Sequence, residues 1–426
     1  MFRYWSAVFL LLASGVLALA APSPADEAFE ELGARYVNEF PALSPVGATN
    51  LGDHRYDSEL NNVSEAARDR KLAFCRRYLR ELGRIDSAEL SRANQVDYAL
   101  LKHSLEGSVW RMETLQEWAW NPLSYTGLSG GAIYSLMARE FAPLEKRLGH
   151  VTDRLKQFPR LFRQIRATLD VERVPRVHAE TAVKQNRGVL SILENMVKPH
   201  LGELPGEQRR DLERAMAKAR EAVGEQQEWL ESELLPNAQG DFRLGAELYD
   251  QKLAFTLKTP LTREQIRQRA ESELQRVRDE MYGISQKVYK EKYPYTEFPD
   301  GPSAEYKQAI IRACLEMAYS NSPEPDRVVE TAKDALAQAT AFVREKDLVT
   351  LPPDPVEIII MPEFQRGVSL AYCDSPGPLE VGLKTFYAVA PLPEDWTQQQ
   401  VESFLREYNV LSIHDLTMHE AMPGHY

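Results

Sequence analysis

The chain has 426 residues, 43% hydrophobic and 27% charged, enough apolar mass for a large core and too polar for a bundle of membrane helices. Its formal net charge of -12, with no basic stripe, sets nucleic-acid binding aside. Length alone allows two or three domains or one large α-helical unit.

At the N-terminus, Arg3 precedes an apolar run from Ala7 to Leu19, and Ala18-Leu19-Ala20 offers a small-x-small cleavage pattern. Residues 1–20 therefore read as a signal peptide. The mature chain is expected to start near Ala21, and the protein to be exported to the periplasm or beyond. The apolar run is short for a membrane span and no second one follows, so no membrane contact is expected beyond the signal peptide. No cysteine follows the run to carry a lipid anchor. The three cysteines, Cys75, Cys314 and Cys373, are scattered and lack metal-ligand spacing; they read as small buried hydrophobes, with at most one disulfide. Asn62 opens a glycosylation sequon.

Helical periodicity covers most of the rest. It predicts helices over about 64–82, 146–169, 207–235 and 323–345, separated by short Pro- and Gly-bearing loops. Between the first two lies Gly127-Leu-Ser-Gly-Gly131, a G-x-S-x-G pattern around Ser129 that would suit a serine nucleophile between a strand and a helix. No convincing strand precedes it, and the expected role is a Gly-rich turn before a helix starting near Ala132. Thr262 and Gln265 form a capping box ahead of Ile266, Ala270, Leu274, Val277 and Met281, an apolar row at helical steps. After Leu351 the pattern changes: β-branched and aromatic runs at 356–363 and 383–392 predict a small β element over about 356–392. A second capping box, Thr397 to Gln400, opens a helix predicted over about 398–422, whose apolar row Val401, Leu405, Tyr408, Ser412, Leu416 reaches His419 on its buried side.

Three of the eight histidines, His414, His419 and His425, fall in the last thirteen residues. A histidine alone is more often a satisfied core residue than a ligand, but Glu420 beside His419 needs a cation, a metal or a water on one if it is desolvated. Zinc peptidases place two histidines four apart on one helix with the glutamate as general base. Here the fourth position is Pro423, and on a straight helix residues 419 and 425 would stand about 9 Å apart and about 120° out of line. The intervening Pro423-Gly424 must end or kink the helix, and a Gly424 with positive φ could swing the His425 imidazole back beside His419. The competing reading is a plain helix end with His425 on the surface. His414, five residues before His419, lies off its face.

"HEAMPGHY", with "AYCDSPGPLEVGLKTFYAVAPLPEDW" and "PALSPVGATNLGDHRYDSEL" upstream, resembles the exported bacterial domain-of-unknown-function 885 family, over a match from about residue 27 to the end. The resemblance implies a mainly α, large multi-helix zincin-like (neurolysin-like) architecture with the small β element bordering a cleft. It implies a zinc metallopeptidase in which His419 and His425 hold Zn2+ and Glu420 is the general base on a metal-bound water. A peptide or small amide would be the substrate, added along the β element as a strand. Family members continue past the motif, so 21–426 is expected to be a C-terminally truncated metallopeptidase-like domain, with a third ligand, a glutamate, beyond Tyr426; as it stands the site would be unfinished and the fragment inactive. The alternatives are a non-catalytic exported helical binding protein and the serine hydrolase at Ser129. Asp53-His54-Arg55 matches a family segment without a derivable role, and Tyr372 and Tyr387 could face a substrate from the β element.

Overall fold

The structure is a computed structural model that describes residues 23–426, so the expected signal peptide lies outside the described residues. A capping box between Ser23 and Asp26 opens α1 (Pro24–Glu39), which packs with α2 (Glu65–Leu82) and α3 (Arg92–Trp110) around Phe29, Leu32, Tyr78 and Leu105. The main core follows. It lies between α4 (Leu123–Met137), α5 (Leu144–Lys156), α6 (Phe158–Thr168), α7 (Arg176–Ile192) and α8 (Gly206–Trp229), centred on Ile133, Leu148, Leu155, Phe158, Val189 and Leu212. The periodicity at 146–169 is split between α5 and α6, because Pro159 lacks an N–H and its ring clashes with the carbonyl four residues back. Proline is accepted instead in the first turn of a new helix.

The segment before α2 is tied to this core by a buried cation. Arg154 of α5 is fully buried and donates to the carbonyls of Glu59 (3.0 Å) and Ala132 (2.7 Å) and to Thr49 Oγ1 (2.6 Å). Burial draws its pKa down to about 10, and the bonds offset part of the desolvation cost. Thr49 in turn donates to the buried Asp57 at 2.7 Å.

Beyond α9 (Gly245–Leu257), the capping box at Thr262 forms as read, with Gln265 N to Thr262 Oγ1 at 3.2 Å and Thr262 N to Gln265 Oε1 at 3.0 Å. It opens α10 (Arg263–Lys292), which buries only Tyr282 and Ser285 and packs on α11 (Ala304–Tyr319). Then α12 (Val328–Lys346) leads into the sheet.

Three short strands, β1 (Glu357–Ile360), β2 (Ala371–Asp374) and β3 (Phe386–Val389), pair in the order β1-β3-β2, parallel on one side of β3 and antiparallel on the other. β2 is an edge strand. Alternation gives the sheet two faces. Ala371, Tyr387, Val389 and Ile358 turn toward α12 and the C-terminal helices. Asp374 and Phe386 turn toward α4, where Arg139, just past the helix end, donates to Asp374 O (2.5 Å) and Lys384 O (2.9 Å), pairs with Asp374 Oδ1 (3.0 Å) and lies over the Phe386 ring. Between β1 and β2 the buried Phe364 wedges onto Gly130 of α4 and Gly188 of α7. A Cβ on Gly130 would sit 2.3 Å from the Phe364 ring, and one on Gly188 would sit 2.4 Å from the Phe364 nitrogen. The glycines of the Gly127–Gly131 stretch therefore lie inside α4 and do not form the expected turn.

The single helix predicted over 398–422 is two: α13 (Gln398–Glu407) and α14 (Val410–Glu420). Asn409 makes the break. Its side chain accepts from the backbone of Leu411 (3.0 Å) and Ser412 (3.2 Å) and donates to the carbonyl of Arg406 (3.0 Å), capping one helix while closing the other. Restarting at Asn409 resets the helical phase, so α14 buries Ile413 and Thr417, and His419 is exposed instead of lying on the buried side. Among the described residues no helix is long and apolar enough to cross a membrane.

Candidate metal centre

The last turn of α14 sets the geometry. Thr417, fully buried, donates to the Ile413 carbonyl (2.7 Å) and lies 3.1 Å from the hydroxyl of Tyr387 on β3, which fixes the helix end against the sheet. Glu420 follows on the side facing β2. Its Oε2 accepts from the backbone N–H of Cys373 at 3.2 Å. In the β2–β3 ladder, Ala390 N–H bonds Leu370 O, so alternation turns the N–H and C=O groups of Ala371 and Cys373 away from β3. Glu420 thus takes one backbone donor of the strand edge.

After Glu420 the chain reverses over the helix end, across a cis Met422–Pro423 bond. Gly424 N–H donates to Met418 O and His425 N–H to His419 O, both at 2.9 Å, closing loops of six residues where the helix would close four. Those bonds answer the six-residue spacing. The His419 and His425 rings stand with centroids 4.9 Å apart and planes at 86°, and His425 Nε2 lies 3.9 Å from Glu420 Oε2. One donor atom from each of His419, Glu420 and His425 falls within 4.8 Å of the others. Gly424 is required for a reason other than the expected positive φ, which it does not adopt: a Cβ there would lie 1.9 Å from the His419 carbonyl oxygen.

Two imidazoles suit a borderline metal such as zinc, and the Glu420 carboxylate lies within 4.8 Å of both, close enough to join them or to act on a water beside an ion. The fit extends to burial. Both histidines are exposed, as an open coordination site requires, while Glu420 is half-buried against the strand.

Other sequence candidates lie elsewhere. Ser129 is buried inside α4 with its hydroxyl given to Tyr125 O at 2.8 Å, and no strand precedes it, so the nucleophile-elbow geometry is absent. His414 is on α14 outside the donor cluster. Tyr387 is fully buried and cannot face a substrate, and Tyr372, on the other face of the sheet, bonds Gln365. Cys75 is buried and Cys314 and Cys373 are partly so, all three as free thiols; burial pushes the Cys373 thiol up.

Several residues near the site escaped sequence reading. Tyr134 of α4 donates to Asp374 Oδ2 at 2.8 Å, and burial, with that carboxylate beside it, pushes its hydroxyl far above the usual tyrosine range. Cys373 contributes a backbone N–H, which has no residue signature. Arg139 and Asp374 are 235 positions apart, so only the fold could pair them.

The chain shares its fold with two solved structures. One, described as "a putative lipoprotein of unknown function" from Shewanella oneidensis, is 28% identical with a TM-score of 0.68, over 93% of this chain and 71% of that one. The other, described as a "putative lipoprotein" from Colwellia psychrerythraea, is 17% identical with a TM-score of 0.61, over 94% of this chain and 72% of that one, a likeness of fold alone. No curated protein matches the chain. The model of the family described as bacterial protein of unknown function (DUF885) matches residues 45–426, nearly the whole described length, and the chain belongs to that family.

Proposed function

We propose that the protein is an exported zinc-dependent hydrolase of peptide or related amide bonds, with a zincin-like helical architecture around a cleft edged by β2. The observation that carries this reading is the reversal at Pro423-Gly424, which brings His425 back to His419 around Glu420. Export rests on the leader pattern in residues 1–20 and on the lipoprotein description of the Shewanella oneidensis neighbour.

His419 and His425 would hold the ion and leave positions open for water and substrate. Bound there, zinc supplies Lewis acidity at the scissile carbonyl and makes a water nucleophilic at neutral pH. Glu420 takes the proton of the attacking water and passes it to the leaving amine. The Oε2 held by Cys373 N–H is also the oxygen that stands 3.9 Å from His425 Nε2, so that bond fixes where the carboxylate sits beside the imidazoles. Ala371 is buried, so along this edge the carbonyl of the half-buried Cys373 is the outward backbone group that can pair with an extended peptide.

Metal analysis of the purified protein together with Glu420→Gln tests the reading. About one zinc per chain is expected, and loss of the general base lowers the hydrolytic rate by about 100-fold or more. Absence of stoichiometric zinc, with the Glu420→Gln variant as fast as wild type, would sink it.

A further inference from the structure

A cavity of about 770 Å3, a volume usual for small-molecule sites, lies between α9, α7 and the short turn Glu117–Trp120. None of the residues around it belongs to the metal centre. Its walls are fixed by the fold. Gly240 N–H donates to Val174 O at 3.0 Å, so closely that a Cβ on Gly240 would lie 2.0 Å from Arg173 O, and this holds the chain entering α9 beside the start of α7. Farther along α9, Trp110 of α3 donates to Gln251 Oε1 at 2.7 Å and His103 Nε2 donates to Phe255 O at 2.8 Å. On the opposite wall the Trp120 and His178 rings stack with centroids 6.0 Å apart and planes at 25°.

Two kinds of group line this space without partners. Phe242 is 55% and Tyr249 49% exposed, so two rings are left for a ligand to cover, and Trp120, whose N–H goes to Leu115 O at 3.0 Å, offers a ring face. The other kind is hydrogen-bond donors. Lys252 meets no carboxylate among the described residues. Arg243 reaches Asp241 only at 3.4 Å, while its guanidinium lies 4.3 Å from the Phe242 ring centre. No side chain caps α9, because its N-cap is Leu244, and the N–H groups of Gly245 and Ala246 open at the cavity. Arg263 also lines the space but is committed to Asp250, and the Glu117 carboxylate is taken up by Asn121 Nδ2 at 2.8 Å. His178 Nδ1 is buried with no partner among the described residues.

Open donors beside a helix N-terminus select an anion, and uncovered ring faces select an aromatic group. One lysine free of any carboxylate suits a single negative charge. We propose that this cavity binds a small aromatic carboxylate, with its ring against Trp120, Phe242 and Tyr249 and its carboxylate on Lys252, Arg243 and the first turn of α9. The net charge of -12 makes such a cluster of donors unusual for this chain. The assignment draws on no metal and stands apart from the hydrolase reading.

Indole-3-acetate is titrated into the protein by isothermal titration calorimetry. Two analogues are run beside it: indole-3-acetamide keeps the ring and loses the charge, and cyclohexylacetate keeps the charge and loses the aromatic face. One indole-3-acetate is expected to bind per chain. The amide should bind about tenfold or more weakly, the worth of a charge-assisted hydrogen bond, and cyclohexylacetate about three- to tenfold more weakly. Lys252→Ala and Phe242→Ala, both at exposed positions, should weaken indole-3-acetate by the same respective factors with the melting temperature unchanged. A chelator should leave the affinity as it was. The assignment is overturned if indole-3-acetate shows no saturable binding, if the amide binds equally, or if Lys252→Ala binds like wild type. Loss of binding on chelation would place the carboxylate at the metal centre and overturn it too. Equal binding of cyclohexylacetate, with Phe242→Ala unaffected, would overturn the aromatic class.

Discussion

At the scale of single residues, the candidate centre depends on Gly424 more than on either histidine's neighbours. The atom a side chain would add meets a backbone oxygen, that of His419, at 1.9 Å, and backbone cannot step aside as a flexible side chain does. Gly424→Ala must open the turn, break His425 N–H to His419 O and carry the second imidazole away from the first. A displaced ligand weakens metal binding by roughly 10- to 100-fold, the range seen when the groups orienting a ligand are lost. The turn lies at an exposed helix end, so overall stability should barely change. Competition with a chelator of known affinity measures the first effect and thermal melting the second; undiminished affinity would show that the turn accepts a Cβ. The sequence left two readings open, a Pro-Gly turn that brings histidines six apart together and a plain helix end, and the ring centroids at 4.9 Å fit the first. It misattributed the glycine's role to φ, because a close approach between residues 419 and 424 exists only once the chain has reversed.

At the scale of elements, capping chemistry was readable wherever it was local. The boxes at Thr262 and Thr397 both form, since side chain and target are three residues apart and need no help from the rest of the molecule. The break at Asn409 was not readable. The row Val401, Leu405, Tyr408 runs smoothly up to it, and an asparagine inside such a row carries no stop signal comparable to proline's. In the fold, Asn409 is buried and spends its amide on both helices at once. Asn409→Ala therefore removes an N-cap and leaves the Arg406 carbonyl unpaired, a loss of about 1 to 2 kcal/mol. Urea denaturation reads that loss, and hydrogen exchange should locate it in the first turn of α14. An unchanged midpoint would mean that water replaces the cap. The same break explains why His419 came out exposed: a phase carried over from α13 would have buried it.

At the scale of the whole molecule, the sheet is the joint between two cores. One is built by α4 to α8 and the other by α12 to α14, and the strands present a face to each. Which helices would meet was not legible, because amphipathic periodicity names a buried face without naming its partner. Phe364 is where the joint is tightest: only 1% exposed, it belongs to the main core while sitting in the chain between β1 and β2. Gly130 and Gly188 let α4 and α7 close on its ring and backbone. Phe364→Ala would leave a cavity that two helices lined by glycine cannot refill, at a cost of roughly 3 to 5 kcal/mol. Because Arg139 also grips Asp374 from the α4 side, the sheet would stay attached but loosely held. Amide exchange should then rise across 357–374 and at Glu420, while α5 and α6 keep their protection. If protection fell evenly over the chain, Phe364 would be an ordinary core residue and the joint would lie elsewhere. If it fell only in the sheet and at Glu420, the position of that carboxylate would depend on a phenylalanine more than fifty residues before it in the chain.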